Sequence, residues 1–376
     1  MMIPRKPYLV AKDQRAKHAK ETVNKIIPAI LASDRKAKRG VESAELIVNP
    51  PPAQEKKEPS QIDGEQANQM EIRVEICDTL VAAQTLHKSC RSVAILNMAS
   101  PLQAGGGVVR GAWAQEESLC VRTTLLPSLK DEWYRLPDVG GIWSPDICVF
   151  RLPGDDKDSP DRELSKADRF YVGVVTAAML RFPELTDKNL RNARYANESD
   201  RELADRKMKA VMRILETKGV EGVVLGAWGC GAYRNPIGEI VPAFKRVLLG
   251  QQKKSKSKGN IETWGTVREV VFAINDASMA VRFANVWGPE LKIELGDSAP
   301  YQDQDEQQSS SADELETKIK ELELQISQTK SPVVKERLES ILERLQSALE
   351  SARTEDAEQH ADSAPNQQAE VDSNMS

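Results

Sequence analysis

The residues best suited to chemistry lie in one short segment, where a run of glycines is followed by two adjacent carboxylates. Residues 105–107 are three consecutive glycines after an apolar stretch, and residues 115–117 read Gln-Glu-Glu. Consecutive glycines allow close approach of the backbone, and their N–H groups can surround an anion such as phosphate. On its own, the glycine run indicates an ordinary flexible turn, with a phosphate-binding loop as the alternative.

Glu116 and Glu117 are candidates for a general acid or base. Adjacent helical residues point about 100° apart, so the two carboxylates cannot face each other, but both can reach one ligand at a helix end. Apolar neighbours and a like charge would raise the pKa of such a carboxyl and let it donate a proton, whereas a helix N-terminus would oppose that shift. The sequence leaves both effects open, together with a capped, solvent-exposed helix start that does no chemistry.

A second glycine cluster favours a phosphate ligand. Residues 222–236, GVVLGAWGCGAYRNP, run from an apolar stretch through Gly229, Cys230 and Gly231 to Tyr233. Two glycine loops at strand ends would meet at one rim of a parallel sheet, where α/β proteins bind ligands. Neither loop fits the fingerprint of dinucleotide-binding domains or of phosphate-loop NTPases, so both classes are disfavoured.

The elements that must position these loops alternate between strands and helices. Apolar or alternating runs predict strands at residues 71–77, 92–99, 146–152, 170–175, 222–228 and 269–274. Helical spacing predicts helices at 204–219 and at 13–33, the latter kinked or ended near Pro28, and a further helix is expected after Pro236. Strands alternating with helices predict a layered α/β sheet.

Two other segments have compositions of their own. Residues 49–68 combine proline, charge and glutamine and predict a mobile loop. From Asp297 onward there are 19 acidic and 7 basic side chains, which leaves residues 1–296 with a net charge of +7 and weakly favours a polyanionic ligand. In this acidic tail, two apolar heptad stretches flanking Pro332 predict a weak helical hairpin or a coil that binds a protein partner, and residues 354–376 are expected to be disordered.

The composition also argues against several classes of site and location. Five scattered cysteines without CxxC spacing and three histidines offer little for a zinc site or a histidine-dependent triad, so neither metal nor cofactor is expected. No apolar run approaches the roughly 20 residues of a membrane span, and the first residues lack a signal peptide. The protein is expected to be soluble and intracellular, nuclear or cytoplasmic.

Together these segments resemble the microbial type of poly(ADP-ribose) glycohydrolase. The resemblance rests on GGG followed after seven residues by QEE, and on LNMAS (96–100), LCVRTTL (119–125), PDICVFR (145–151) and LGAWGCGAYRNP (225–236). It implies a macrodomain-like three-layer α/β/α catalytic domain with extra N-terminal helices. The expected divisions are an N-terminal helical extension (1–48), the loop (49–68), the catalytic domain (69–296) and the tail (297–376).

The resemblance also implies a reaction and its residues. The expected reaction is hydrolysis of the ribose–ribose O-glycosidic bond of poly(ADP-ribose) to release ADP-ribose, with Glu117 as acid/base and Glu116 holding a ribose hydroxyl. The implied substrate-binding residues are Asn97, Gly105, Gly106, Gly107, Gln115, Gly229, Cys230, Gly231 and Tyr233, which replaces the family's usual phenylalanine. The chain departs from the family at Met98, where phenylalanine is common, and at Ala104, where proline is frequent.

Two other functions stay open at the level of sequence. A non-catalytic macrodomain that reads ADP-ribose marks needs the phosphate loops but no positioned acid, so QEE argues against it. The second alternative is a hydrolase that removes only protein-linked mono(ADP-ribose), and comparing free polymer with a mono-modified acceptor would distinguish it from a polymer hydrolase. The expected partners are poly(ADP-ribose) or ADP-ribosylated proteins, with a protein partner as one interpretation of the tail.

Overall fold

A computed structural model describes residues 12–53, 70–156, 159–187, 193–250 and 262–296, and isolated positions between 319 and 349. The chain divides into two compact units, Met1–Pro300 and Tyr301–Ser376. The described positions of the second unit are helical. Most of the predicted helical hairpin, the predicted disordered end and most of the predicted mobile loop lie outside the described residues, so those expectations stay predictions.

The first unit alternates strands with helices along most of its length. Its described strands are β1 (Glu45–Val48), β2 (Glu71–Ile76), β3 (Val93–Met98), β4 (Gly140–Val149), β5 (Arg151–Asp156), β6 (Ser159–Glu163), β7 (Phe170–Ala177), β8 (Gly222–Leu225), β9 (Glu269–Ala273) and β10 (Lys292–Leu295). Its described α-helices are α1 (Lys12–Glu21), α2 (Ile27–Ser33), α3 (Arg35–Glu42), α4 (Thr79–Leu86), α5 (Gln115–Arg122), α6 (Glu198–Thr217), α7 (Ile237–Leu249) and α8 (Ala277–Trp287). None of the helices in the described part of the chain is long and apolar enough to cross a membrane.

Eight strands form one mixed sheet in the order β1-β4-β7-β3-β8-β9-β2-β10, and β5 pairs with β6 in a separate hairpin. The strands from β7 to β10 in this order pair in parallel, whereas β4 is antiparallel to both of its neighbours. β3 lies between β7 and β8. The segments that follow these three strands therefore leave the same edge of the sheet side by side.

Helices cover both faces of the sheet, because successive side chains of a strand point to opposite faces. In β3, Ala94 and Leu96 belong to a core formed with α6, α7 and α8. Val93 and Ile95 belong to a second core formed with α4 and α5. These two cores confirm the three-layer α/β/α architecture expected from the sequence.

The elements differ from the prediction where local patterns were weak. The predicted strand at 146–152 is two strands, β4 and β5, separated at Phe150. The predicted helix at 13–33 is α1 and α2 joined by a π-helix, Thr22–Ile26, and Pro28 lies just after this π-helix, where it cannot donate the next helical hydrogen bond. The edge strands β1 and β10 were not predicted, because each is only four residues long and gives too short a pattern to identify.

A buried arginine joins the N-terminal helices to the helix that carries Glu116 and Glu117. Arg151 donates to Oγ1 of Thr22 at 2.8 Å and to the carbonyl oxygen of Val121 at 3.0 Å. Thr22 lies between α1 and α2, whereas Val121 lies in α5. One guanidinium therefore fixes both segments, and the N-terminal extension packs as part of the same body as the sheet.

A substitution at Gly40 tests how tightly this extension packs. A Cβ added to Gly40 in α3 would lie 2.7 Å from the carbonyl oxygen of Asp146 in β4 and closer still to that of Pro145. We expect Gly40→Ala to lower the free energy of unfolding by about 1–3 kcal/mol, because the contact is between two backbones. Urea denaturation of this variant and of Lys38→Ala, an exposed change in the same helix, measures the effect. Wild-type stability of Gly40→Ala would mean that α3 packs loosely.

Candidate active site

The first glycine loop leaves the end of β3 and enters α5. Gly105 and Gly106 have φ values of 65° and 56°, in the left-handed region that favours glycine. A Cβ added to Gly106 would lie 3.0 Å from Oε2 of Glu116 and closer still to Oε1 of Glu117. Glycine is therefore required for the backbone to pass this close to both carboxylates.

The Glu117 carboxylate is fixed by backbone N–H groups on both sides of the loop. Its Oε1 accepts a hydrogen bond from Gly107 N at 2.8 Å, and its Oε2 accepts one from Ala114 N at 3.1 Å. The second bond is the one that a glutamate in the first turn of a helix makes with the residue that precedes the helix. Glu117 is only 7% exposed, so the predicted alternative of a solvent-exposed helix start is wrong.

Glu116 is more completely buried than Glu117, and its carboxylate accepts hydrogen bonds from β3 and from the segment that follows β3. Its Oε2 accepts a hydrogen bond from Ser100 N at 2.7 Å, and Nδ2 of Asn97 lies 3.4 Å from its Oε1. Burial, and then the nearby charge of Glu117, raise the pKa of Glu116 to about 8, against the hydrogen bonds that favour the carboxylate. Glu116 therefore carries a proton at neutral pH, and burial outweighs the helix N-terminus.

Asn97 and Gln115 fix the geometry between β3 and α5. Asn97 is fully buried and donates to Oγ1 of Thr176 at 3.2 Å, and its Oδ1 has no hydrogen-bond partner in the described part of the chain. Gln115 accepts from Met98 N at 2.9 Å and donates to the carbonyl oxygen of Leu96 at 2.8 Å. The amide of Gln115 thus joins α5 to β3. The sequence analysis expected Gln115 to bind substrate and did not predict this positioning contact.

The second glycine loop follows β8 and is supported by a side chain that the sequence analysis missed. Asn235 is buried, and its Nδ2 donates to the carbonyl oxygens of Gly229 at 3.1 Å and Leu180 at 2.7 Å. Gly229 has a φ of 79°, and a Cβ there would lie 2.6 Å from that same Nδ2. A Cβ at Gly231 would meet no atom within 4 Å, so this part of the loop borders open space.

Cys230 lies within the second loop between Gly229 and Gly231. Burial raises the pKa of its thiol to about 12. The side chain is therefore a neutral thiol at physiological pH, and a neutral thiol is a poor nucleophile. Within the described residues, no group of three or more His, Cys, Asp or Glu side chains could hold a metal ion.

Tyr233 brings the two glycine loops together. Its hydroxyl lies 3.5 Å from the carbonyl oxygen of Ala99, just after β3, and its ring lies 6.3 Å from that of Phe182. Burial, and then the charge of Glu116, raise the pKa of the Tyr134 hydroxyl. The hydroxyl of Tyr134 is buried without a hydrogen-bond partner in the described residues, and no sequence pattern identified it.

The part of the site around the first glycine loop lies in a region that a known family matches. Residues 31–152 match the family model of the microbial-type PARG catalytic domain, where PARG denotes poly(ADP-ribose) glycohydrolase. The match confirms the resemblance found in the sequence. It contains the first glycine loop and both glutamates, whereas the second glycine loop lies beyond it. No sequence among the curated proteins matches this chain.

Solved PARG structures resemble the fold. Poly(ADP-ribose) glycohydrolase from Thermomonospora curvata has a TM-score of 0.54 at 23% identity, with 73% of this chain and 99% of that chain covered. The same protein bound to the inhibitor ADP-HPD has a TM-score of 0.52 at 23% identity, with the same coverage. The Deinococcus radiodurans protein in complex with ADP-ribose has a TM-score of 0.49 at 20% identity, covering 67% of this chain and 94% of that chain. The two T. curvata structures show that the chain has the PARG fold.

The raised pKa of Glu116 predicts a pH dependence of stability. Its pKa is about 8 in the folded protein against an ordinary value of 4.5 in the unfolded chain, so between these pH values the folded state holds a proton that the unfolded state releases. The stabilising contribution is complete below about pH 4.5 and is lost as the pH rises to about 8. We expect the free energy of unfolding of the wild type to fall by roughly a few kcal/mol more than that of Glu116→Gln over this range.

Guanidinium titrations at several pH values from about 5 to about 8 measure this difference. Glu132→Gln, at an exposed glutamate, is the matched control and should follow the wild type. Parallel curves for wild type and Glu116→Gln would contradict the raised pKa, because both proteins would then release the same number of protons on unfolding.

Proposed function

We propose that this chain hydrolyses poly(ADP-ribose), cleaving its ribose–ribose O-glycosidic bonds and releasing ADP-ribose. The observation that carries the proposal is the pair of buried carboxylates at the start of α5, directly under a glycine loop. The family match over residues 31–152 and the PARG fold support it. A reader of ADP-ribose marks needs no positioned acid, so the backbone-held carboxylate of Glu117 favours the hydrolase.

In the proposed mechanism, Glu117 acts first as an acid and then as a base. It donates a proton to the 2′ oxygen of the departing ribose while positive charge develops at the anomeric carbon of the other ribose. The bond from that carbon to the 2′ oxygen breaks, water attacks the carbon, and the water proton returns to the Glu117 carboxylate. The carboxylate and the substrate diphosphate stabilise the positive charge in between.

The neighbouring glutamate keeps a proton available for the first step. Two carboxylates this close cannot both ionise readily, so the pair shares one proton at neutral pH, in agreement with the raised pKa of Glu116, and this proton lies on Glu117 when Glu117 acts as the acid. Glu116 is then the carboxylate and can accept a hydrogen bond from a ribose hydroxyl. The unpartnered Oδ1 of Asn97 is a suitable acceptor for a ribose hydroxyl.

The glycine loops would bind the diphosphate and the ribose next to it. Gly106 N donates to the carbonyl oxygen of Gln103 at 3.1 Å and Gly107 N to Glu117 at 2.8 Å, so the first loop would contact the ligand through the close approach of its glycine backbone, whereas the second loop borders open space at Gly231. Tyr233, which joins the two loops, would pack against the bound nucleotide or ribose. The substrates proposed are free poly(ADP-ribose) or ADP-ribosylated proteins at an intracellular site, nuclear or cytoplasmic, and the tail is proposed to bind a protein partner.

Replacing the proposed acid tests the reaction directly. We expect Glu117→Gln to release ADP-ribose from purified polymer about 10²- to 10⁴-fold more slowly than the wild type, because an amide cannot exchange the proton. ADP-ribose binding by calorimetry should stay within a few-fold of wild type. Release at a rate close to that of wild type would remove Glu117 from the mechanism, and absence of release by the wild type would refute the proposed function.

Gly106 tests whether the loop must pass over the carboxylates. We expect Gly106→Ala to lower kcat at least about 10-fold, since its methyl group would displace one of the two carboxylates or the loop. Gly219→Ala is the matched control, because Gly219 has a similar φ of 65° but no atom within 4 Å of an added Cβ. Polymer hydrolysis and a melting curve for both variants separate a local effect from backbone strain; equal activities would show that the close approach is not needed.

A further inference from the structure

Arg181 is a cation beside the second glycine loop with no acidic partner in the described part of the chain. Its Nε is buried and makes no hydrogen bond there. Two arginines further along the chain differ, because Arg194 and Arg201 both pair with Glu239, at 3.8 Å and 2.9 Å. A buried donor without a partner costs free energy, so its presence here points to a partner that the chain itself does not supply.

The segment that carries Arg181 forms one wall of the second glycine loop. A Cβ at Gly229 would lie 2.8 Å from the Cβ of Met179, and Phe182 N donates to the carbonyl oxygen of Tyr233 at 3.1 Å. The guanidinium carbon of Arg181 lies 5.8 Å from the centroid of the Phe182 ring. Arg181 is therefore held in place by its neighbours at the loop.

The backbone around this cation is held in an unusual conformation. Phe182 and Arg234, on the two sides of the loop, have φ values of 50° and 55°, which side chains with a Cβ rarely adopt. Such strain persists only where surrounding contacts fix it, and it clusters at binding sites. Of these two strained residues, Phe182 directly follows Arg181 in the chain, and Arg234 follows the glycines of the second loop.

Arg181 and Glu116 both act electrostatically on the hydroxyl of Tyr233. Burial raises the pKa of the Tyr233 hydroxyl to about 12, and this rise is opposed by Arg181 and reinforced by Glu116. One hydroxyl is thus within electrostatic reach of both groups. Across the loop, burial raises the pKa of Cys230, and Arg282 in α8 opposes that rise.

We propose that Arg181 binds a phosphate of the ADP-ribose unit, so that its guanidinium and the N–H groups of the second glycine loop hold the diphosphate together. This inference rests on the proposed function. A guanidinium presents several N–H groups in a planar fork that matches phosphate oxygens, and it keeps its charge at any physiological pH. Arg181 therefore makes the site select a nucleoside diphosphate sugar over an uncharged nucleoside.

The experiment is calorimetry of the full chain with ADP-ribose and with adenosine as probes. We expect Arg181→Gln to weaken ADP-ribose binding by about 10- to 100-fold and to leave adenosine binding unchanged. Arg181→Lys should recover part of the loss, because it restores the charge but not the fork. Arg206→Gln, which removes an exposed charge from α6, is the matched control and should bind both probes like the wild type.

The dependence of binding on salt gives a second measurement. ADP-ribose affinity of the wild type should fall more steeply with ionic strength than that of Arg181→Gln, because an ion pair is lost in the variant. Wild-type affinity in a folded Arg181→Gln protein would overturn the proposal. An equal loss for ADP-ribose and adenosine would also overturn it, because Arg181 would then act by packing on Phe182.

The two proposals can fail separately. If the wild type cleaves polymer and Arg181→Gln binds ADP-ribose normally, the role of Arg181 is wrong and the proposed function stands. If the variant binds ADP-ribose weakly while the wild type binds it but cleaves no polymer, Arg181 contacts phosphate and the hydrolase is wrong. If the wild type does not bind ADP-ribose, both are wrong.

Discussion

The burial of two adjacent carboxylates beneath a glycine loop is the constraint on which the site depends. A buried charge is costly unless hydrogen bonds replace its water. Glu117 receives bonds from Gly107 N and Ala114 N, and Glu116 receives one from Ser100 N and holds a proton. These bonds require the loop to pass too close for any side chain at Gly106. The glycine run and the glutamates therefore depend on each other, because neither would keep its geometry without the other.

The rest of the fold fixes α5, which carries the two glutamates, at both of its ends. Gln115 joins the start of α5 to β3 through two backbone groups, which sets the height of the glutamates above the sheet. At the other end of α5, Arg122 pairs with Asp78 at 3.0 Å and with Asp161 at 2.6 Å. Arg151 then ties α5 to the N-terminal helices. Because α5 is fixed at both ends, its first turn can hold two carboxylates out of water without unwinding, and the N-terminal extension is part of that support.

Local pattern and motif were sufficient for most of the central sheet, the two glycine loops and the glutamates, because each is encoded by residues close together in the chain, but they missed the edge strands β1 and β10. The sequence could not decide whether burial or the helix N-terminus controls the pKa of Glu116, since burial depends on how α5 packs on β3. The role of Asn235 was missed for the same reason, because its bond to the carbonyl oxygen of Leu180 joins residues that are distant in sequence. Arg181 has no local signal either, and its unpartnered Nε is visible only after folding.

The arrangement of charge also explains how an acidic site can accept an anion. Two buried glutamates would repel a diphosphate placed beside them, even when the pair carries one proton. Arg181 and Glu116 act in opposite directions on the pKa of the Tyr233 hydroxyl. If Arg181 binds phosphate as proposed, a substrate with a dianionic diphosphate and a neutral ribose would bind most favourably with the diphosphate toward Arg181 and the ribose toward Glu117. The reverse direction would place like charges together, so the proposed binding mode gives the bond to be cleaved one orientation.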